Sequence, residues 1–231
     1  MKKLSSVFLA VTAFVILASG AVQAVTINDI ADDFTINWFL AQGGSDNDGS
    51  TAPFDVSASA AFDVTVFNAT RLTLGVTITN TTNTSHQSSI HSFGIGVNPN
   101  ATSVSLSNPG NVVFTNAEVQ SGQQNYPGGF KQIDVCVYSP NNCSGGAFSG
   151  GLLSGNMDAF TLTIFGNFSG GSVTLAPFPI KFQTSGPSLE FAGIEVGTVA
   201  APEPGTLILL GSGLTGLGLK RWRQRSKGTK A

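Results

Sequence analysis

The 231-residue chain is poor in charge, in cysteine and in large polar aromatics. Charged residues make up 10% of it, and it contains two cysteines, two tryptophans and two tyrosines. Between its two ends, no long segment repeats apolar residues with the 3.6-residue period of an amphipathic helix. No internal repeat is evident either. These absences argue against a helical body, a solenoid and a propeller.

The motifs of common hydrolases and zinc enzymes are also missing. The nearest approach to a Gly-x-Ser-x-Gly elbow places Ser149 in the wrong register. His86 and His91 are five residues apart, whereas a zinc-binding helix needs a spacing of four. We interpret both as solvated loop histidines. A Ser–His–Asp triad stays open, because its members need not be adjacent, but we expect a protein that is not an enzyme.

Cations are scarce in the body of the chain, residues 25–201. It contains only Arg71, Lys131 and Lys181 against twelve aspartates and glutamates, which gives a net charge of −9. Such a body repels nucleic acid and anionic surfaces and tolerates divalent cations. We therefore expect no nucleic-acid partner.

The N-terminus has the three parts of a signal peptide. Lys2 and Lys3 precede an apolar stretch, Val7–Ala18, and small residues at 22 and 24 fit a cleavage site after Ala24. Twelve residues reach about 18 Å as a helix, well short of a ~30 Å hydrocarbon core. The pattern therefore predicts a cleaved signal peptide over residues 1–24 and export through the Sec translocon.

The C-terminus carries a second short apolar segment. Pro202, Glu203 and Pro204 come first, then an apolar stretch, Thr206–Leu219, and then six cations. A helix from Gly205 to Leu219 reaches about 22 Å, so it spans a membrane only if the bilayer thins or Lys220 and Arg221 snorkel. The cations hold that end in the cytoplasm by the positive-inside rule. We expect a short transmembrane helix with the body outside.

This tail resembles the PEP-CTERM sorting signal of Gram-negative bacteria that make extracellular polysaccharide. The resemblance implies an exosortase as processing partner, with Pro202, Glu203 and Pro204 as the sorting motif. It also implies removal of the tail, followed by release or attachment of the body. The protein would pass transiently through the inner membrane and then reach the cell surface or medium. The segment from Cys136 to Gly146 is similar to the cistern group of these proteins.

Apolar and polar residues alternate along the body. Leu72, Leu74, Val76 and Ile78 share one face of a predicted strand, and a hairpin at 68–70 joins it to the strand before. A second hairpin across Gly170 and Gly171 would pair Phe160–Ile164 with Val173–Leu175. About ten short strands predict an antiparallel β-sandwich of jelly-roll or immunoglobulin-like type over residues 25–200. The N-terminal signal helix and the C-terminal hydrophobic helix flank it, the latter in the sorting region 201–231.

Cys136 and Cys143 enter an oxidising compartment, which predicts a disulfide. The segment between them is rich in turn residues, and closing this loop contributes about 2.5 kcal/mol in the chain-entropy model. A metal pair or a catalytic thiol is the rival interpretation. Neither histidine lies within forty residues of the cysteines, so we favour the structural disulfide.

Two ligand-binding alternatives remain for the body. Asp46 and Asp48 are candidate calcium ligands in a glycine-bounded loop, which Asp55 or another loop would complete. The loop is not an EF-hand, because Ser57 stands where the glutamate belongs, and we favour an acidic surface turn over a calcium site. Extracellular polysaccharide is the other candidate ligand. Trp38, the body's only tryptophan, has the parity of the apolar face, and we assign it to the core. No other cofactor is expected.

Overall fold

The computed structural model describes residues 24–107, 113–120, 126–139 and 141–196. Over these ranges the fold is built from strands, with two short 3₁₀ turns and no α-helix. The strands, numbered in chain order, are β1 Val25–Ile27, β2 Phe34–Leu40, β3 Val56–Asn68, β4 Arg71–Asn80, β5 Ser88–Ile95, β6 Val97–Asn98, β7 Ala101–Ser107, β8 Asn116–Val119, β9 Val135–Tyr138, β10 Leu152–Leu153, β11 Met157–Gly166, β12 Val173–Leu175, β13 Pro179–Thr184, β14 Ser188–Ala192 and β15 Ile194–Val196.

The strands form two large antiparallel sheets and one small one. Sheet 1 has the order β15-β2-β3-β4-β11-β7. Sheet 2 has the order β14-β13-β5-β9-β8, with β10 also paired to β5. Sheet 3 has the order β1-β12-β6. The expectation of an all-β, antiparallel body is confirmed. The two expected flanking helices lie outside the described residues.

Strand parity follows the sequence pattern where one face of a strand is apolar. Leu72, Leu74, Val76 and Ile78 of β4 are all buried, whereas Thr77 between them is exposed. The predicted hairpin joins β3 to β4, and Asn68 Oδ1 accepts the Thr70 N–H at 3.0 Å in its turn. Alternation thus places an apolar face toward the interior.

The inner faces of sheets 1 and 2 meet in one core. The Phe62 ring on β3 lies 6.4 Å from Phe93 on β5, and Phe93 lies 6.2 Å from Phe160 on β11. Trp38 on β2 is 1% exposed, and its indole Nε1 donates to the Phe178 carbonyl at 2.8 Å. The assignment of Trp38 to the core is confirmed.

The predicted second hairpin is wrong. β11 has β4 on one edge and β7 on the other, so neither edge is open to β12. β12 instead lies between β1 and β6 in sheet 3. Phe168 lies between β11 and β12 in the chain and is fully buried. Its N–H donates to the Ala69 carbonyl at 2.8 Å, so the chain after β11 contacts the turn between β3 and β4.

The chain changes sheets at Gly193. The sequence pattern from Phe191 to Val199 predicts one strand, whereas in the structure β14 belongs to sheet 2 and β15 to sheet 1. A Cβ on Gly193 would stand 2.5 Å from Ile36 Cγ2 and 2.6 Å from Trp38 Nε1, so only glycine fits this corner. The corner therefore connects β14, at one edge of sheet 2, to β15, at one edge of sheet 1.

Candidate functional site

The expected sorting residues Pro202, Glu203 and Pro204 lie outside the described residues, as do the signal peptide and the apolar C-terminal stretch. Within the described ranges, no helix has the length and apolarity needed to cross a membrane. The structure does show where the tail is attached. β15 ends at Val196, six residues before Pro202, so an extended chain separates them by at most about 20 Å. An enzyme that acts at the tripeptide thus works close to the sheet edge formed by β15.

Cys136 and Cys143 form the predicted disulfide, with their Cα atoms 6.2 Å apart. Cys136 lies on β9 and is fully buried, and Cys143 is nearly so. The Cys143 carbonyl accepts a hydrogen bond from Ser92 Oγ at 2.8 Å. The disulfide and this hydrogen bond thus fasten the loop after β9 onto sheet 2, so the disulfide has a structural role.

The loop that carries Asp46 and Asp48 is fastened to β14. Asp46 is buried, and its Oδ1 accepts the N–H groups of Asp48 at 3.0 Å and Ser50 at 2.7 Å. Its Oδ2 accepts the Glu190 N–H at 2.9 Å. Asp48 is exposed, and Asp55 Oδ1 accepts the Gln42 N–H instead. Across the described ranges, no three acidic, histidine or cysteine side chains cluster in a way that could hold a metal ion. The calcium assignment stays a prediction.

Replacing Asp46 with alanine is expected to destabilise the protein by about 3 kcal/mol, because three backbone donors lose their charged acceptor. Urea unfolding followed by tryptophan fluorescence measures the loss. Asp48→Ala is the matched control, with an expected change of about 0.5 kcal/mol or less since that side chain is exposed. Equal effects of the two substitutions would contradict the assignment of Asp46 as the residue that holds the loop.

The interpretation of both histidines as solvated is half right. His86 is exposed, and its ring stacks on Phe54 with centroids 4.4 Å apart. His91 lies within β5 and is 1% exposed, so its assignment to a solvated loop is wrong. Its Nε2 is 3.0 Å from Ser89 Oγ, and burial, followed by the charge of Lys181, lowers its pKa. The polar residues before Ile90 predict a loop, but those from Ser88 onward belong to β5. They are buried there because both faces of β5 are covered.

A buried ion pair is the largest feature that the sequence analysis missed. Lys181 on β13 and Glu190 on β14 are cross-strand partners, and the Lys181 ammonium donates to Glu190 Oε1. Burial raises the pKa of Glu190, and the bond to Lys181 opposes that rise. The available signal was the position of each charge between two apolar neighbours, Ile180 and Phe182 for the lysine and Leu189 and Phe191 for the glutamate.

Tyr126 extends this buried polar region. Its hydroxyl lies 2.9 Å from Ser92 Oγ, and burial raises its pKa well above its ordinary value. Tyr126, His91, Lys181 and Glu190 are each less than a tenth exposed, and the charge of Glu190 contributes to the rise in the pKa of Tyr126. Ser92 on β5 and the Glu190 N–H on β14 thus hold the segments that carry Tyr126, Cys143 and Asp46 onto sheet 2.

Comparison with known proteins bears on the tail. A comparison with curated proteins finds no significant match. Residues 200–224 match the PEP-CTERM protein-sorting motif. The match includes Pro202, Glu203 and Pro204 and begins only after the last described strand, so it identifies a route and not the activity of the sheets. The chain therefore carries a PEP-CTERM protein-sorting motif, the signal of an exported protein that an exosortase processes in a membrane-associated step on the way to the cell surface.

Proposed function

We propose that this chain is a non-enzymatic cell-surface or extracellular-matrix protein whose body contributes adhesion or matrix structure in an exopolysaccharide layer. The observation that carries the proposal is the sequence of the tail, in which the matched motif has the Pro-Glu-Pro tripeptide first, then an apolar stretch and then a basic end. The Sec translocon exports the chain, the apolar stretch holds it in the inner membrane, and the exosortase then removes the tail.

Features of the body support an extracellular role. The Cys136–Cys143 disulfide fits an oxidising compartment. The shared core of two six-stranded sheets supports a β-sandwich, of jelly-roll or immunoglobulin-like type. His91, Lys181 and Glu190, three groups with side-chain chemistry that enzymes use, are buried in structural contacts, which supports a body that is not an enzyme.

Intact-mass measurement of the protein from the cell surface and from the medium tests the proposal. We expect a mature form that begins after Ala24 and ends near Pro202–Pro204, because the signal peptide and the tail are both removed. The control is the same chain in a strain without exosortase, where the C-terminus should stay complete. Full-length C-termini in both strains would make the tail a permanent anchor and would contradict the processing step.

The second candidate function is a carbohydrate-binding module of the matrix. It is favoured by an exposed aromatic side chain, Phe39, that lines a polar cleft. The calcium-binding alternative has no comparable observation in its favour, because Asp46 is already occupied by backbone donors.

A further inference from the structure

A cleft of about 350 Å³ opens at the end of sheet 1 where β2 and β4 finish and β3 begins. The residues that line it include Phe39, Gln42, Asp55, Ser57, Asn83 and His86. They come from β2, the loop after it, the start of β3 and the loop after β4. The cleft is therefore built by distant segments that the sheet brings together.

Two flat rings border this cleft. Phe39 points away from the core on β2, opposite Ser57 of β3, and is 63% exposed. His86 is exposed, but its ring lies against Phe54 at an interplanar angle of 6°, and Phe54 itself is buried. A ring fixed in this way loses little freedom when a ligand stacks on it. The cleft thus offers one projecting phenyl ring and one supported imidazole ring as contact surfaces.

Polar groups that line the same cleft are held in place. Asp55 Oδ1 accepts the Gln42 N–H at 2.7 Å, and Gln42 Nε2 donates to the Pro53 carbonyl at 3.1 Å. Asn83 Oδ1 accepts the Ser85 N–H at 2.9 Å. These contacts fix the side chains and leave the other oxygens of Asp55 and Gln42 and the Asn83 amide nitrogen for a ligand. A few fixed polar groups beside aromatic rings are typical of small-molecule sites.

Charge selects among hydroxyl-rich ligands. Asp55 stands in the cleft, and the body carries twelve acidic residues against three basic ones. An acidic sugar would be repelled by this field, whereas a neutral one would not. We infer that the cleft between Phe39 and His86 binds a short stretch of uncharged polysaccharide, with the rings stacking on sugar faces and Gln42, Asp55 and Asn83 bonding to hydroxyls. This gives the matrix role of the proposed function a ligand class and rests on that function only for the setting in which the ligand is met.

Calorimetric titration of the purified full chain, in a detergent without a sugar headgroup, tests the inference. The probes are neutral hexasaccharides of β-1,4-glucan, β-1,3-glucan, α-1,4-glucan and mannan, with a galacturonic acid hexamer as the acidic probe. At least one neutral probe should bind and the acidic probe should not. Phe39→Ala should weaken binding about tenfold or more, because it removes the projecting ring. Phe39→Trp should bind at least as well as the natural protein, since its larger ring keeps the stacking surface.

Met157→Ala is the matched control, because Met157 is similarly exposed on sheet 1 and does not line the cleft. It should leave the affinity unchanged. The inference is overturned if no neutral probe binds at millimolar concentration, if the acidic probe binds instead, or if Phe39→Ala binds as tightly as Met157→Ala. Concentration-dependent association that Phe39→Ala abolishes, without sugar binding, would assign the cleft to contact between copies and also overturn it. None of these outcomes depends on tail processing, so the failure of this inference and of the proposed sorting are distinguishable.

Discussion

Alanine at Pro202, Glu203 and Pro204 together should leave the protein at full C-terminal length in the inner membrane and reduce the mature form to background. Proline lacks a backbone donor and has a fixed φ, which favours an extended peptide, the form that protease grooves bind. Glu203 adds the only acidic charge of the tail. Membrane fractionation followed by intact mass measures the outcome.

A matched change in the same tail controls for its expression and insertion. Alanine at Lys227, Gly228 and Thr229 alters three residues beyond the matched motif at 200–224 and should allow normal maturation. A mature form that is equally abundant with both triple changes would show that the tripeptide is not what the processing enzyme reads. Loss of maturation in both would instead assign recognition to the whole tail.

Replacing Lys181 with methionine should destabilise the body by about 3–5 kcal/mol, since Glu190 then stays buried without its cation. Adding Glu190→Gln to Lys181→Met should recover most of this loss, because the buried charge is then removed as well. Urea unfolding of the two single variants, the double variant and the natural chain gives the coupling between the residues. Lys131→Met is the control, because Lys131 is exposed. A loss under about 1 kcal/mol at Lys181 would show that the pair is not stabilising.

Lys181→Met should also change how the free energy of unfolding depends on pH. The pKa of Glu190 is raised by burial above its ordinary value of 4.5, so the folded chain holds this proton more tightly than the unfolded chain does. Stability contributed by Glu190 is therefore lost as pH rises above 4.5 toward the folded pKa. Without Lys181 that pKa rises further, and the falling part of the curve should extend to higher pH.

Strand parity was the part of the fold that the sequence could predict. The alternating apolar residues of β4 and the parity of Trp38 both follow from a repeat of two, which local sequence displays directly. The pairing of β12 could not be predicted in that way. Whether Val173–Leu175 joins β11 or β1 depends on which strand edges are already occupied, and β7 occupies the edge in question.

The corner at Gly193 and the position of His91 were missed for a related reason. Phe191–Val199 reads as one strand because nothing in its local pattern shows that Trp38 must pack against Gly193. His91 follows a polar stretch, and only the loops that cover sheet 2 make it a core residue. Each outcome depends on which distant segments pack against the strand.

The candidate cleft was also predictable only in part from the sequence. The sequence places Phe39 on the face opposite Trp38, because the two are neighbours on one strand. It does not show that the loop after β4 brings Asn83 and His86 beside Phe39, since more than forty residues separate them in the chain. The aromatic residue that faces solvent was therefore predictable, whereas the polar groups around it were not.

The Gly193 corner determines how the body bears mechanical load. A pull from the C-terminal side would act first on β15, which has three residue pairs with β2. The force then reaches β14, which has five pairs with β13 and an added bond from the Glu190 N–H to Asp46. β15 can therefore peel away and lengthen the tether by about 10 Å before sheet 2 is loaded. An anchored chain dragged by flow or by a neighbouring cell would yield there first and recover when the tension drops.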